Sequence, residues 1–248
     1  MKTRLDAELV RRELARSREH AADLIESRSV IVSGIPATKP ASQVDAETSI
    51  VLQGDRDDFV SRGGHKLAGA LDAFPEVVVS GKRALDAGAS TGGFTDVLLK
   101  RDVQSVVAVD VGYGQLAWEL RNDPRVTILD RTNVRHLTIE QVGEPVDLVV
   151  ADLSFISLTL VLPALVSVSR TSADFLVMVK PQFEVGREKL GAGGVVRDSA
   201  LRKNAVMEVA DCAYDMGLGC SGVIASPLPG PSGNVEYFLW LKRGASEL

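Results

Sequence analysis

From Gly81 onward the chain alternates short apolar runs with mixed or polar stretches. Seven of these runs read as strands, at 84–87, 106–109, 126–129, 148–151, 175–179, 222–225 and 237–241. They are nearly continuous in Val, Leu, Ile and Ala, the pattern of strands covered on both faces. Helices are expected between the first five strands, and a long one over about 201–216. This alternation predicts an α/β fold, a doubly wound, mostly parallel seven-stranded sheet of Rossmann-like type. The last two runs are linked by Pro227-Leu228-Pro229-Gly230-Pro231, so the sheet should end in a hairpin with one antiparallel strand.

Residues 1–54 follow a different pattern and predict a small α+β domain. Leu5, Leu9 and Leu14 mark one face of a first helix, and Ser17 is placed to cap a second carrying Ala21, Leu24 and Ile25. Val30-Ile31-Val32 runs into the turn dipeptide Ser33-Gly34, then Ile35-Pro36, and a strand at 49–52 closes the unit. The charged stretch Gly54-Asp55-Arg56-Asp57-Asp58 suggests a linker over 55–65, with the second domain at 66–248. A short amphipathic helix through Leu67, Leu71 and Phe74 should open that domain and stop at Pro75.

Composition narrows the class. The 45% hydrophobic and 25% charged residues are those of an ordinary globular chain. No apolar run approaches the ~18 residues of a membrane span, and the charged N-terminus does not read as a signal peptide. Cys212 and Cys220 form neither a disulfide framework nor a metal cluster, so both are expected to be buried thiols in a reducing cytoplasm, and no metal is expected. The net charge of −5 argues against a uniformly basic nucleic-acid binder. Between Lys2 and Arg18, however, six cations face three anions, and local patches set phosphate affinity. A solvated helix face with pairs such as Glu8–Arg12 explains that stretch equally well.

The strongest chemical signal is Leu85-Asp86-Ala87-Gly88-Ala89-Ser90-Thr91-Gly92-Gly93-Phe94. A strand enters a glycine turn that opens a helix, and the next strand ends at Asp110, 24 residues past Asp86. That order holds a nucleoside-bearing cofactor, with the acid on the ribose hydroxyls. Gly88 and Gly93 fit the outer positions of a dinucleotide fingerprint, but Ser90 stands where its middle glycine would approach a pyrophosphate. A cofactor without a pyrophosphate, S-adenosylmethionine, fits better. Asp86, Gly88, Ser90, Gly92, Gly93, Phe94 and Asp110 are its candidate contacts, with Asp130 placed for the adenine amine.

In such sheets the ligand lies beyond the carboxyl ends of the strands. Asp152 and Lys180 each follow an apolar run and stand 28 residues apart, about one βαβ unit. Glu236 opens the last strand, and Lys66 enters from the helix ahead of the first. Any one of them alone reads as a solvated cap. Together they make a nearly charge-balanced cluster that can be buried.

These residues, in this order, resemble the Lys-Asp-Lys-Glu tetrad of FtsJ-type 2′-O-ribose methyltransferases. The strings Val60-Ser61-Arg62-Gly63-Gly64-His65-Lys66, Ala151-Asp152-Leu153-Ser154-Phe155-Ile156-Ser157, Val179-Lys180-Pro181-Gln182-Phe183-Glu184 and the stretch 226–236 resemble, more narrowly, the TlyA-type rRNA (cytidine-2′-O)-methyltransferases. That family has long carried a haemolysin label. Residues 4–40 resemble the RNA-binding domain of the small-subunit ribosomal protein four family, which implies Arg4, Arg16, Arg18 and Lys39 as phosphate contacts.

The resemblance implies a monomeric cytoplasmic enzyme that uses S-adenosylmethionine to methylate cytidine ribose in rRNA, within ribosomal subunits or ribosomes. Lys66, Asp152, Lys180 and Glu236 would be catalytic. Asp152 and Glu236 would orient Lys180, opposed by Lys66, with Lys180 acting either as base or as fixed cation. Phe155 and Phe183 are placed to stack the target base or simply to pack. Arg62, Arg187 and Lys189 are further RNA candidates, the last two on a glycine-rich loop. Two rivals remain. Asp152-Leu153-Ser154-Phe155 has a faint likeness to an amino-methyltransferase motif, without its prolines. A membrane-lytic role lacks a spanning segment or a strongly apolar amphipathic helix to support it.

Overall fold

A computed structural model describes residues 2–12, 14–15, 17–45, 47–52, 59–230 and 232–248, except the side chains of 187 and 192. Contacts divide the chain into Met1–Asp58 and Phe59–Leu248. The first unit holds β1 (Thr3–Arg4), α1 (Leu5–Arg11), α2 (Arg18–Glu26), β2 (Val30–Val32), β3 (Ile35–Pro36), β4 (Gln43–Val44) and β5 (Ile50–Leu52). β2 sits between β3 and β5, all antiparallel, and β1 pairs with β4. Ser17 caps α2 by accepting the backbone N–H of His20, as its place in the sequence suggests. Leu5, Leu9, Ala21, Leu24, Ile25, Val30 and Val44 form the small core.

The second unit runs α3 (Arg62–Ala73), β6 (Arg83–Ala87), α4 (Gly93–Lys100), β7 (Ser105–Val109), α5 (Trp118–Arg121), β8 (Val126–Leu129), α6 (Ile139–Val142) and β9 (Val146–Ala151). It continues with α7 (Leu162–Ser167), β10 (Ser169–Val179), α8 (Pro181–Glu184), α9 (Ser199–Asp215), β11 (Leu218–Ala225) and β12 (Tyr237–Arg243). The sheet order is β11-β12-β10-β9-β6-β7-β8. Pairs within β10-β9-β6-β7-β8 are parallel, and β12 runs antiparallel to both neighbours. The expected doubly wound sheet with one reversed strand is therefore present.

Alternation along each strand builds two cores. Val149 and Ala151 of β9 face one core with α7 and α9, while Leu148 and Val150 face the other with α3 and α4. The long apolar runs are strands for this reason: each has a hydrophobic layer on both sides.

The linker is shorter than the expected 55–65. Residues 53–58 lie outside the described residues, but α3 already begins at Arg62, and the Val60 N–H donates to the Asp96 carboxylate of α4 at 2.8 Å. Residues 59–65 thus pack with the second unit. Cys212 and Cys220 are unbridged and half-buried, where full burial was expected, and desolvation raises both thiols above their ordinary range.

Candidate active site

Three adjacent strand ends assemble the charged cluster. Val177 of β10 pairs with Ala151 of β9, and Val179 pairs with Tyr237 of β12. Asp152, Lys180 and Glu236 therefore leave neighbouring strands at one rim of the sheet, with strands about 4.8 Å apart. Lys66 arrives from α3, whose Leu67, Ala70 and Leu71 are fixed in the core beneath.

The four groups form two ion pairs. Lys180 Nζ lies 2.6 Å from Asp152 Oδ1 and donates to Ser154 Oγ at 3.0 Å. Lys66 Nζ lies 2.6 Å from Glu236 Oε2 and touches Met178 Sδ at 3.9 Å. Gln182 Nε2 donates to the other Glu236 oxygen at 3.3 Å. Lys66, Lys180 and Glu236 are buried, and Asp152 is partly exposed. This pairing differs from the expected one. Asp152 and Ser154 orient Lys180, while Glu236 is taken by Lys66 and Gln182. Ser154 and Gln182 were not singled out from the sequence, although both sit inside the strings that carried the resemblance.

The glycine turn adjoins this cluster. Asp152 N donates to Ala87 O at 3.0 Å, and a Cβ on Gly88, at φ +89°, would stand 2.6 Å from the Asp152 carbonyl oxygen. Only glycine permits that approach. Ser90 and Thr91 form the exposed top of the turn. Asp110, at the end of β7, accepts the backbone N–H groups of Ser90 (2.8 Å) and Gly112 (2.7 Å), one on each carboxylate oxygen. Asp130 accepts from Gly114 N at 3.0 Å.

Four of the expected cofactor contacts are buried. Phe94 is in the core, stacked on Phe238 at 6.1 Å, because α4 turns its first apolar side chain toward α3 and β12. Asp86 is fully buried and accepts from Thr95 Oγ1 at 2.7 Å, with its Oδ1 unpartnered among the described groups. Burial, reinforced by the nearby Asp152 and Asp110 charges and opposed by the Thr95 hydrogen bond, pushes its carboxyl up to about 7. Gly92 and Gly93 are buried against Leu116, Leu120 and α3, so they serve close packing.

Beside Lys180 lies an aromatic pair. The rings of Phe155 and Phe183 are 5.1 Å apart, and Lys180 Nζ is 5.9 Å from the Phe183 centroid. Phe155 is 91% exposed and held at φ +64°, an uncommon conformation for a bulky residue.

Arg62 and Lys189 are exposed, while the Arg187 side chain is outside the described residues, as is Arg16. In the first unit Lys39 is exposed. Arg4 grips buried Asp6 through two bonds, 3.1 and 2.8 Å, and Arg18 reaches the same carboxylate at 3.0 Å. Hydrogen bonds from Arg4 hold Asp6 far below the usual carboxylate range. Both guanidinium groups stay about half exposed, with donors left for an outside anion.

The rim thus brings together a glycine turn with two acids, a charge-balanced tetrad and an aromatic pair of which Phe155 is exposed. The FtsJ-like methyltransferase family model matches residues 59–243, and the S4 domain model matches residues 3–50. The chain belongs to the FtsJ-like methyltransferase family and carries an S4 domain at its N-terminal end. It is 60% identical to the 16S/23S rRNA (cytidine-2′-O)-methyltransferase TlyA of Mycobacterium tuberculosis, over 97% of this chain and 90% of that protein. It is 37% identical to Hemolysin A of Brachyspira hyodysenteriae, over 89% of this chain and 92% of that one. The solved structure of a hemolysin candidate from Streptococcus thermophilus superposes with a TM-score of 0.79 at 37% identity, covering 99% of this chain and 90% of that chain. Among the described residues no helix is long and apolar enough to cross a membrane.

The family implies S-adenosylmethionine, and the residues present suit it. Asp110 offers a carboxylate to ribose hydroxyls, the neighbouring Val111 exposes an apolar face, and the partnerless Asp86 oxygen lies under the same turn.

Proposed function

We propose that this protein transfers a methyl group from S-adenosylmethionine to the 2′-hydroxyl of cytidines in rRNA, acting as a cytoplasmic monomer on ribosomal subunits or ribosomes. The reading rests on one observation above others: two ion pairs, the partly exposed Lys180–Asp152 and the buried Lys66–Glu236, at the sheet rim beside the Gly88 turn. The choice of rRNA and of cytidine rests on the 60% identity to the mycobacterial enzyme.

S-adenosylmethionine, when bound, supplies an electrophilic methyl group. Asp110 and Asp130 would hold its nucleoside end, with Ser90 at the exposed top of the glycine turn beside it. A ribose hydroxyl is a weak nucleophile, so the protein has to align it and stabilise the charge it develops. Lys180 donates to Ser154 and lies in an ion pair with Asp152, which fixes its head group at the rim. Lys180 is placed either to take the hydroxyl proton as the methyl is transferred, or to stabilise the oxygen as a fixed cation while that proton passes to water. Lys66, Glu236 and Gln182 brace the strand end from which Lys180 projects. Phe155, against Phe183, offers a face on which the target base stacks, a contact of about 1–3 kcal/mol. Arg4, Arg18, Lys39, Arg62, Lys189 and, by sequence, Arg16 and Arg187 bind phosphates and fix the register.

The test is transfer of labelled methyl to separated ribosomal subunits, followed by digestion to nucleosides. Label in 2′-O-methylcytidine is the expected result. Label on a base, in either subunit, overturns the reading.

A further inference from the structure

Two segments supply the reactive end of this site. The loop after β9 carries Asp152, Ser154 and Phe155, and the turn after β10 carries Lys180, Gln182 and Phe183. Their contacts with each other near the tetrad involve exposed or partly exposed groups. Away from the tetrad, Glu184 joins the same two segments. From the end of α8 it accepts the Leu158 N–H on Oε1 at 3.0 Å and the Ser157 hydroxyl on Oε2. Ser157 in turn caps the following turn by accepting from Thr159 N at 3.2 Å. Burial raises the Glu184 carboxyl, and these two donors oppose the rise. Glu184 and Ser157 close the two strings that carried the family resemblance, yet among the described residues no hydrogen bond or ion pair joins either side chain to the tetrad.

We propose that Glu184 is a positioning residue: it staples the β9 loop to the β10 turn, so that Lys180 and Phe155 face one substrate ribose in register. The proposal rests on the role assigned to Lys180 above. A carboxylate suits the task because each oxygen takes one donor from the neighbouring loop, which fixes both distance and rotation. Misplacement of reacting groups by about 1 Å costs on the order of 100-fold in rate.

The experiment compares Glu184→Ala, Glu184→Gln, Ser157→Ala and the Ser157→Ala/Glu184→Ala double variant of the full chain. Methyl transfer to ribosomal subunits gives kcat and KM, and calorimetry gives S-adenosylmethionine affinity. Glu184→Ala is expected to lose about 100-fold in kcat with cofactor affinity unchanged. Glu184→Gln is expected to restore most of the rate, because its amide accepts from Leu158 and donates to Ser157. The double variant is expected to be no slower than Glu184→Ala. Wild-type kcat in Glu184→Ala overturns the proposal, as does Glu184→Gln equally impaired, or loss of cofactor affinity in step with kcat. If Glu184→Ala does not fold, Ser157→Ala decides, and wild-type kcat there overturns the staple. Lys180→Ala is assayed in parallel. Full activity of that variant overturns the Lys180 assignment, whereas its inactivity beside a fully active Glu184→Ala overturns only the staple.

Discussion

Lys66 and Glu236 show what burial demands of a single charge. Glu236 is 1% exposed, and its two oxygens are taken by Lys66 and Gln182. Removing one partner leaves the other charge desolvated, which typically costs about 3–5 kcal/mol. Glu236→Ala is therefore expected to lose stability on that scale in urea unfolding. The double variant Lys66→Met/Glu236→Leu should recover most of it and still fail to turn over. Equal stability of Glu236→Ala and the parent chain would contradict the pairing. Asp86 makes the opposite kind of demand. Its carboxyl is raised from about 4 to about 7 by burial, so the folded state binds its proton more tightly than the unfolded chain does. That contribution to stability is fully present below about pH 4 and is lost as pH rises through 7. Asp86→Asn, which keeps an acceptor for Thr95, should gain on the parent chain by roughly 3–4 kcal/mol between pH 4 and pH 8. A pH-independent difference between the two proteins would rule this out.

The loops at the strand ends hold the residues proposed for the chemistry, and the partners within them were the least legible part of the sequence. All seven strands of the large sheet were legible, because two apolar layers leave runs such as Val146–Ala151 few other solutions. Lys66, Asp152, Lys180 and Glu236 were legible because each stands at the end of such a run or in a motif string. Their partners were not. Position along a strand says which rim a lysine reaches, but not which of two carboxylates its rotamer selects. Lys180 thus took Asp152 and Ser154, and Glu236 took Lys66. Phe94 was misplaced for a related reason: in a glycine turn the first helical side chain faces inward as easily as toward a ligand. The short pair β1–β4 has two residues per strand and leaves no periodic trace. The φ of +64° at Phe155 is strained for phenylalanine, so Phe155→Gly should raise the melting temperature. The same change removes the stacking face and should raise KM for rRNA by about 5- to 100-fold. A lower melting temperature with unchanged KM would show that the ring only packs.

At the scale of the whole molecule, a chain of net charge −5 engages a polyanion through patches placed by the fold. In the N-terminal unit the buried Asp6 carboxylate holds Arg4 and Arg18 on one spot while leaving both half exposed. Replacing either arginine by alanine should weaken rRNA binding and reduce the salt slope of log K by about one for each phosphate no longer neutralised. An unchanged slope would make that cluster purely structural. The pattern of apolar runs was enough for the two-unit division in outline, but not for its boundary, since residues 59–65 pack onto α4 despite their charged, linker-like neighbours. The proposed transfer depends on Lys180, the buried lysine beside the glycine turn. Single-turnover methylation of ribosomal subunits by Lys180→Ala, alongside its calorimetric affinity for S-adenosylmethionine, tests it most directly. The expected outcome is unaltered cofactor affinity with transfer to cytidine ribose abolished; transfer at the parent rate would contradict it.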